Sequence, residues 1–128
     1  MKPDKEKEKE WGRFAEQMAA EHMLLEGYII RERNWRPKHS HLEVDIICQK
    51  GDTIIFVEVK ARHDPDYDPA EAVDSSKINR LIRAAEIYLE IAERDFEYRF
   101  DIISISGNEE SFSLEHIPDA FLPGVSRR

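Results

Sequence analysis

Two apolar runs, Glu43–Gln49 and Thr53–Ala61, are joined by Lys50-Gly51-Asp52, a stretch with turn chemistry. Side chains alternate along a strand, so Val44, Ile46 and Cys48 share a wholly apolar face with Ile55, Val57 and Val59. The other face carries Ile47, Ile54 and Phe56 near the turn, then Glu43, Asp45, Glu58 and Lys60 beyond it. A strand pair that is apolar on both faces must be covered on both sides, which makes this hairpin the centre of a layered domain. A two-residue Gly51-Asp52 turn sets Asp45 opposite Glu58 and Glu43 opposite Lys60. A Lys50-Gly51 turn would shift the pairing but keep the faces, and a three-residue loop without a bulge would split them. The two-residue turn is the expected one.

The rest of the chain supplies the covering layers. With 128 residues it is long enough for one domain that buries roughly two-thirds of its unfolded surface. Residues 1–10 are Lys/Glu-rich and read as a charged tail or a frayed helix start. From Trp11, the spacing of Phe14, Ala15, Met18, Ala19 and His22 predicts a helix that Gly27 ends. Tyr28 to Arg33 alternate as a first strand, and Asn34 to Leu42 form a polar, basic connection. Two prolines and four acids make His63–Pro69 a loop. Ser75 to Arg94 form a second helix with Ile78, Leu81, Ile82, Ala85, Tyr88, Leu89 and Ala92 on one stripe. Tyr98–Ser106 is a further strand, and Phe112–His116 a short edge strand. The expected organisation is an α+β domain over 11–118, in the order α-β-β-β-α-β-β, with a C-terminal tail over 119–128. The lone Cys48 excludes an intramolecular disulfide and a Cys-based zinc site. No apolar run approaches the roughly 18 residues of a membrane span, and the N-terminus lacks a signal peptide's apolar stretch. The expectation is a soluble, cytoplasmic protein with no membrane partner.

The charges on the central hairpin carry the chemistry. Like charges placed opposite each other weaken a hairpin by up to about 1 kcal/mol, and in a covered layer each needs a partner. A divalent cation suits Asp45 and Glu58, because hard cations take carboxylate oxygens. The plainer reading makes Glu43–Lys60, and Glu58 with a basic neighbour, ordinary cross-strand ion pairs. For Asp45, Glu58 and Lys60 in one register, the site reading is the stronger.

Asp45, with Glu58-Val59-Lys60 after twelve intervening residues, resembles the PD-(D/E)XK signature of restriction-endonuclease-like nucleases. The resemblance extends to the YraN family of nuclease-like bacterial proteins, related to Holliday-junction resolvases. It is carried by Gly12-Arg13, Ala15-Glu16, Gly27-Tyr28, Asn34-Trp35-Arg36, Glu43–Ile47, Gly51-Asp52, Phe56–Arg62, Lys77, Leu81, Ala84-Ala85, Tyr88 and Phe100-Asp101. Val44 replaces the nominal proline, Leu42 stands where glycine is usual, and the loop after Arg62 is acidic through Asp64, Asp66 and Asp68. The resemblance implies a central mixed sheet flanked by helices and a Mg²⁺- or Mn²⁺-dependent endonuclease, with DNA favoured over RNA as the substrate and branched or damaged DNA among the candidate forms. Asp45, Glu58 and the Val59 carbonyl would hold the metal, and Lys60 would orient the attacking water or stabilise transition-state charge. Periodicity alone makes Glu16 a boundary acid of the first helix; the resemblance raises it to an accessory ligand. Glu43 would tune Lys60 or the metal's waters, and Asp101 is either structural or supports the site. Relatives that cut junctions act as dimers, so a homodimer is the implied assembly, although no residue marks an interface.

Candidate nucleic-acid contacts are Arg36, Lys38, Arg62 and Lys77, with Arg31 and Arg33 near the first two and Arg80 and Arg83 near the last. Trp35 among the basic residues either stacks a base or caps the core. Against all this stands a formal charge of −8, from 27 acidic and 19 basic side chains, which repels polyanions at long range. That balance, with the acidic loop, favours two alternatives: a non-catalytic nucleic-acid-binding module on the same fold, or a protein–protein adaptor.

Overall fold

The computed structural model describes residues 4–64, 75–92 and 94–121. Met1–Pro3, most of the acidic loop (Pro65 to Pro69) and residues 122–128 of the expected tail lie outside them. The elements are α1 (Lys5–Leu25), β1 (Ile29–Trp35), β2 (Val44–Lys50), β3 (Thr53–Arg62), α2 (Ser75–Ile91), β4 (Glu97–Gly107) and β5 (Phe112–Phe121). This is the expected α+β order. One sheet holds the strands in the order β1-β2-β3-β4-β5; β3 and β4 are parallel, joined through α2, and the other neighbours are antiparallel.

The sheet is covered on both faces, as the central hairpin requires. Trp11, Ala15, Ala19 and Met23 recur every fourth residue along α1 and pack on Ile46, Cys48, Ile55, Val57, Ile103 and Ile105. The alanines let the helix lie close to the strands. On the other face, Leu81, Ala84, Ala85 and Tyr88 of α2 cover Ile47, Ile54, Phe56, Phe100 and Ile102, with Ile78, Ile82 and Leu89 at the margin. Among the described residues no helix is long and apolar enough to cross a membrane. Cys48 is fully buried beneath α1, and burial pushes its thiol up to about 12.

Four boundaries depart from the sequence reading. Helix α1 starts at Lys5, not Trp11, because the Asp4 side chain accepts a bond from the Glu6 N–H at 2.9 Å and Glu6 and Glu8 suit the helix's positive end. Most of the charged "tail" is therefore helix, tied down where His63 bonds Glu8 and the Gly107 carbonyl, each at 2.9 Å. Strand β1 continues through Asn34 and Trp35, which the sequence reading assigned to a connection. Strand β5 runs to Phe121, well past His116, because Phe121 stacks on Phe100 at 5.0 Å and the Asp119 N–H donates to Asp101. Helix α2 ends at Ile91, short of Arg94, which instead pairs with Asp52 at 3.1 Å. At the end of α1, Gly27 takes φ 92° and a pair of bonds (Gly27 N–H to Leu24, Tyr28 N–H to Met23) closes the helix as expected.

The β2–β3 register is the expected one: Lys50 pairs with Thr53 across a Gly51-Asp52 turn, and pairing continues to Ile46–Val57. There it stops. Beyond that point the faces turn over. Arg33 and its partner Ile46 lie toward α1, yet the next pair, Trp35–Val44, packs with the α2 cluster. Between Arg33 and Trp35, Asn34 takes a left-handed φ of 50°. Val44 therefore leaves the face on which strict alternation would place it.

Candidate metal centre

The turnover frees the far end of β2 from β3 and leaves Asp45 at the seam between the layers. Its Oδ2 accepts a bond from the Val59 N–H at 2.8 Å, where another β2 backbone carbonyl would otherwise sit. Glu58 is next to Val59 on β3 and only 3% exposed. Its Oε2 lies 3.4 Å from Lys60 Nζ and 3.1 Å from Lys77 Nζ in the first turn of α2. Burial, the Glu58 charge and a hydrogen bond with Glu58 push the Asp45 carboxyl up to about 8; the Val59 N–H offsets part of this, and Glu16 adds to it. Two acids brought together in a poorly hydrated site hold a proton more tightly than either would alone.

This donor set fits a hard divalent cation. Mg²⁺ commonly binds through one or two carboxylates and keeps several waters. A residue in a strand directs its N–H and C=O to the same neighbour, so the bond from Val59 to Asp45 implies that the Val59 oxygen also faces Asp45. Among the described residues no three His, Cys, Asp or Glu side chains gather to hold a metal. Asp45, Glu58 and the Val59 backbone are what the fold offers.

The other predicted residues distribute as follows. Glu16 is half-buried on α1, held by Asn34 Nδ2 at 2.9 Å, and close enough to act on Asp45. Glu43 faces Arg36 at 3.5 Å, whereas the ion pair of Lys60 is with Glu58. Glu43 also lines a cavity of about 270 Å³ with His41, Leu42, Lys77, Arg80 and Leu81, immediately beside the carboxylates. Arg36 and Lys38 are exposed, and Arg62 is half-buried at the end of β3. Trp35 packs edge-on against Tyr88 with centroids 5.1 Å apart, so it caps the α2-side core.

The basic cluster around Trp35 disperses. A bulge between Ile30 and Glu32 breaks the alternation, so Arg31 bonds Tyr88 and Gln49 while Arg33 turns to Gln17 on α1. Asp101 lies in a separate buried network with Arg99 (2.9 Å), His116 (2.7 Å) and the Asp119 N–H (3.0 Å). Its burial would raise the carboxyl, but those bonds outweigh it and hold the group below its ordinary value. This is the structural role of the two considered. Asn34 was not singled out as a functional residue, yet it both turns the strand and holds Glu16. Its signal was available, since asparagine tolerates positive φ better than most side chains.

The model of an uncharacterised protein family, UPF0102, matches residues 15–105. The chain belongs to that family. A UPF0102 protein of Flavobacterium johnsoniae is 45% identical over 117 residues, covering 88% of this chain and 94% of the relative. Family members from Bacteroides thetaiotaomicron (41% over 115 residues; 89% and 93% covered) and Dictyoglomus turgidum (44% over 117; 88% and 98%) are similar to it over equally full lengths. The matched span, 15–105, contains Glu16, Asp45, Glu58, Lys60 and Lys77.

Proposed function

We propose that this chain is a metal-dependent endonuclease of the PD-(D/E)XK kind, hydrolysing phosphodiester bonds in DNA. The observation that carries this reading is the buried Glu58, 3.4 Å from Lys60 and 3.1 Å from Lys77, next to the Val59 N–H that bonds Asp45 where β2–β3 pairing ends. The resemblance to the YraN nuclease-like proteins supports the same conclusion.

Asp45, Glu58 and the Val59 carbonyl would hold Mg²⁺ or Mn²⁺, with Glu16 as an outer group. The bound cation would supply charge neutralisation at a phosphate oxygen and a more acidic water. Lys60 would donate to that water or to the equatorial oxygens as negative charge builds on them. Lys77, Arg80 and His41 face the neighbouring cavity, where a backbone phosphate fits by charge. Arg36, Lys38 and Arg62 extend the cationic margin, offsetting locally the net charge of −8.

The test is cleavage of labelled single-stranded, duplex, flap and four-way-junction DNA with Mg²⁺, Mn²⁺ or EDTA. Metal-dependent cutting that Asp45→Ala abolishes is the expected result. Salt-sensitive binding without cutting on any substrate would instead support the binding module, the reading that the acidic net charge favours.

A further inference from the structure

Glu58 shares one oxygen between two ammonium groups of different character. Lys60 is on the same strand, two residues away, and its side chain is 23% exposed. Lys77 comes from another element, is 35% exposed and lies closer, at 3.1 Å against 3.4 Å. Lys77 alone of the two also lines the cavity formed with His41, Arg80 and Glu43. Glu43 there faces Arg36, which leaves the cavity wall cationic in balance. A doubly charged cation bound at Glu58 would meet two ammonium groups within contact distance and be repelled by both. Both lysines carry flexible stems on fixed backbones, but Lys60 does not line the cavity. Lys77 lines it already, and rotation of its four-carbon stem would carry the ammonium from Glu58 toward Arg80.

We infer that Lys77 is a stand-in cation that couples the two halves of the site: it neutralises Glu58 until a substrate phosphate in the cavity draws its ammonium away and opens Glu58 to the metal. This rests on the metal-dependent reading above. Metal and nucleic acid then bind with positive cooperativity, each strengthening the other by the same factor. Lys77 acts as a positioning residue: it makes no bond to the reacting atoms but decides when the carboxylate is free. The site fills efficiently only with both ligands present.

The experiment measures Mn²⁺ affinity of the full chain by electron paramagnetic resonance, with and without a short duplex whose linkages are phosphorothioates. The wild type should bind Mn²⁺ weakly alone and about tenfold tighter with the duplex. In Lys77→Met, Mn²⁺ alone should bind about tenfold tighter than in the wild type, and the duplex should add little. Lys77→Arg, which keeps the charge, should restore the coupling, and circular dichroism checks that both variants fold. Lys77→Met binding Mn²⁺ no better than the wild type, while Glu58→Gln abolishes binding, would overturn the inference and leave the nuclease reading standing. Mn²⁺ binding that is absent from every variant, or indifferent to Glu58→Gln, would remove both.

Discussion

Asp45 and Asp101 are both poorly hydrated carboxyls on the sheet, and they should respond to pH in opposite ways. Asp45 titrates near 8 in the folded chain against about 4 when unfolded, so the folded state holds an extra proton between those values. Its protonated form contributes stability that is fully present below pH 4 and lost as pH rises toward 8. Asp45→Asn should therefore stabilise the metal-free protein by roughly 1–4 kcal/mol at pH 7 and by little at pH 4, measured by urea unfolding at both. Asp101 is held low, so its contribution is present above its unfolded value and disappears as pH falls through the folded one. Asp101→Asn should cost roughly 3 kcal/mol at pH 7, because it leaves Arg99 and His116 without their buried counter-charge. In acid, the gap should close. The sequence could bring Asp45 near Glu58, since a two-residue turn fixes the register, but not the break in pairing that leaves Asp45 bonded to the Val59 N–H at the seam. It could not separate Asp101 from them, because its partners Arg99, His116 and the Asp119 N–H come from two strands whose pairing no local pattern reveals.

At the level of elements, the central hairpin was readable up to Ile46 and no further. Alternation holds while both strands stay paired, and fails where Asn34 reverses the backbone and carries Trp35 and Val44 to the α2 side. Of the two readings of residues 1–10, the helix start holds, because Asp4 caps the first turn and Glu6 and Glu8 follow it; charge alone does not separate such a start from a tail. The full length of β5 was hidden by Pro118, which an edge strand tolerates where a central one would not. The β4–β5 connection depends on Gly107, at φ 121°, where an added Cβ would run into the Ser111 carbonyl. Gly107→Ala should destabilise by more than about 1 kcal/mol, read as a lowered unfolding midpoint. Trp35→Ala should cost about 3 kcal/mol as the loss of a core cap, with Trp35→Phe recovering most of it in the same assay. Loss of DNA binding in Trp35→Ala that Trp35→Phe largely restores, at unchanged stability, would return Trp35 to the stacking role.

At the scale of the whole molecule, an acidic protein is proposed to meet an acidic polymer, and the contact must be local. The cations proposed to contact DNA are few: Arg36, Lys38, Arg62, Lys77 and Arg80. A slope of about −0.9 per neutralised phosphate predicts a shallow salt dependence, near −3 to −4 in log–log form if most of them engage. Arg80→Met should reduce that slope by about 1 without changing preference among sequences, as fluorescence anisotropy across a salt series would report. A slope near zero would favour the adaptor reading, in which the acidic surface itself is the binding face.

The lone thiol turns the layered build into a clock. Cys48 lies beneath α1 with no exposure, so a thiol-directed dye has no path to it while helix and sheet remain together. Its reaction rate then reports how often that layer lifts, without any engineered label, and no second cysteine confuses the signal. Labelling that keeps pace with global unfolding would mean the layers part only together. Faster labelling would mean that α1 peels away alone, taking Glu16 from the seam while the carboxylates of β2 and β3 stay in place.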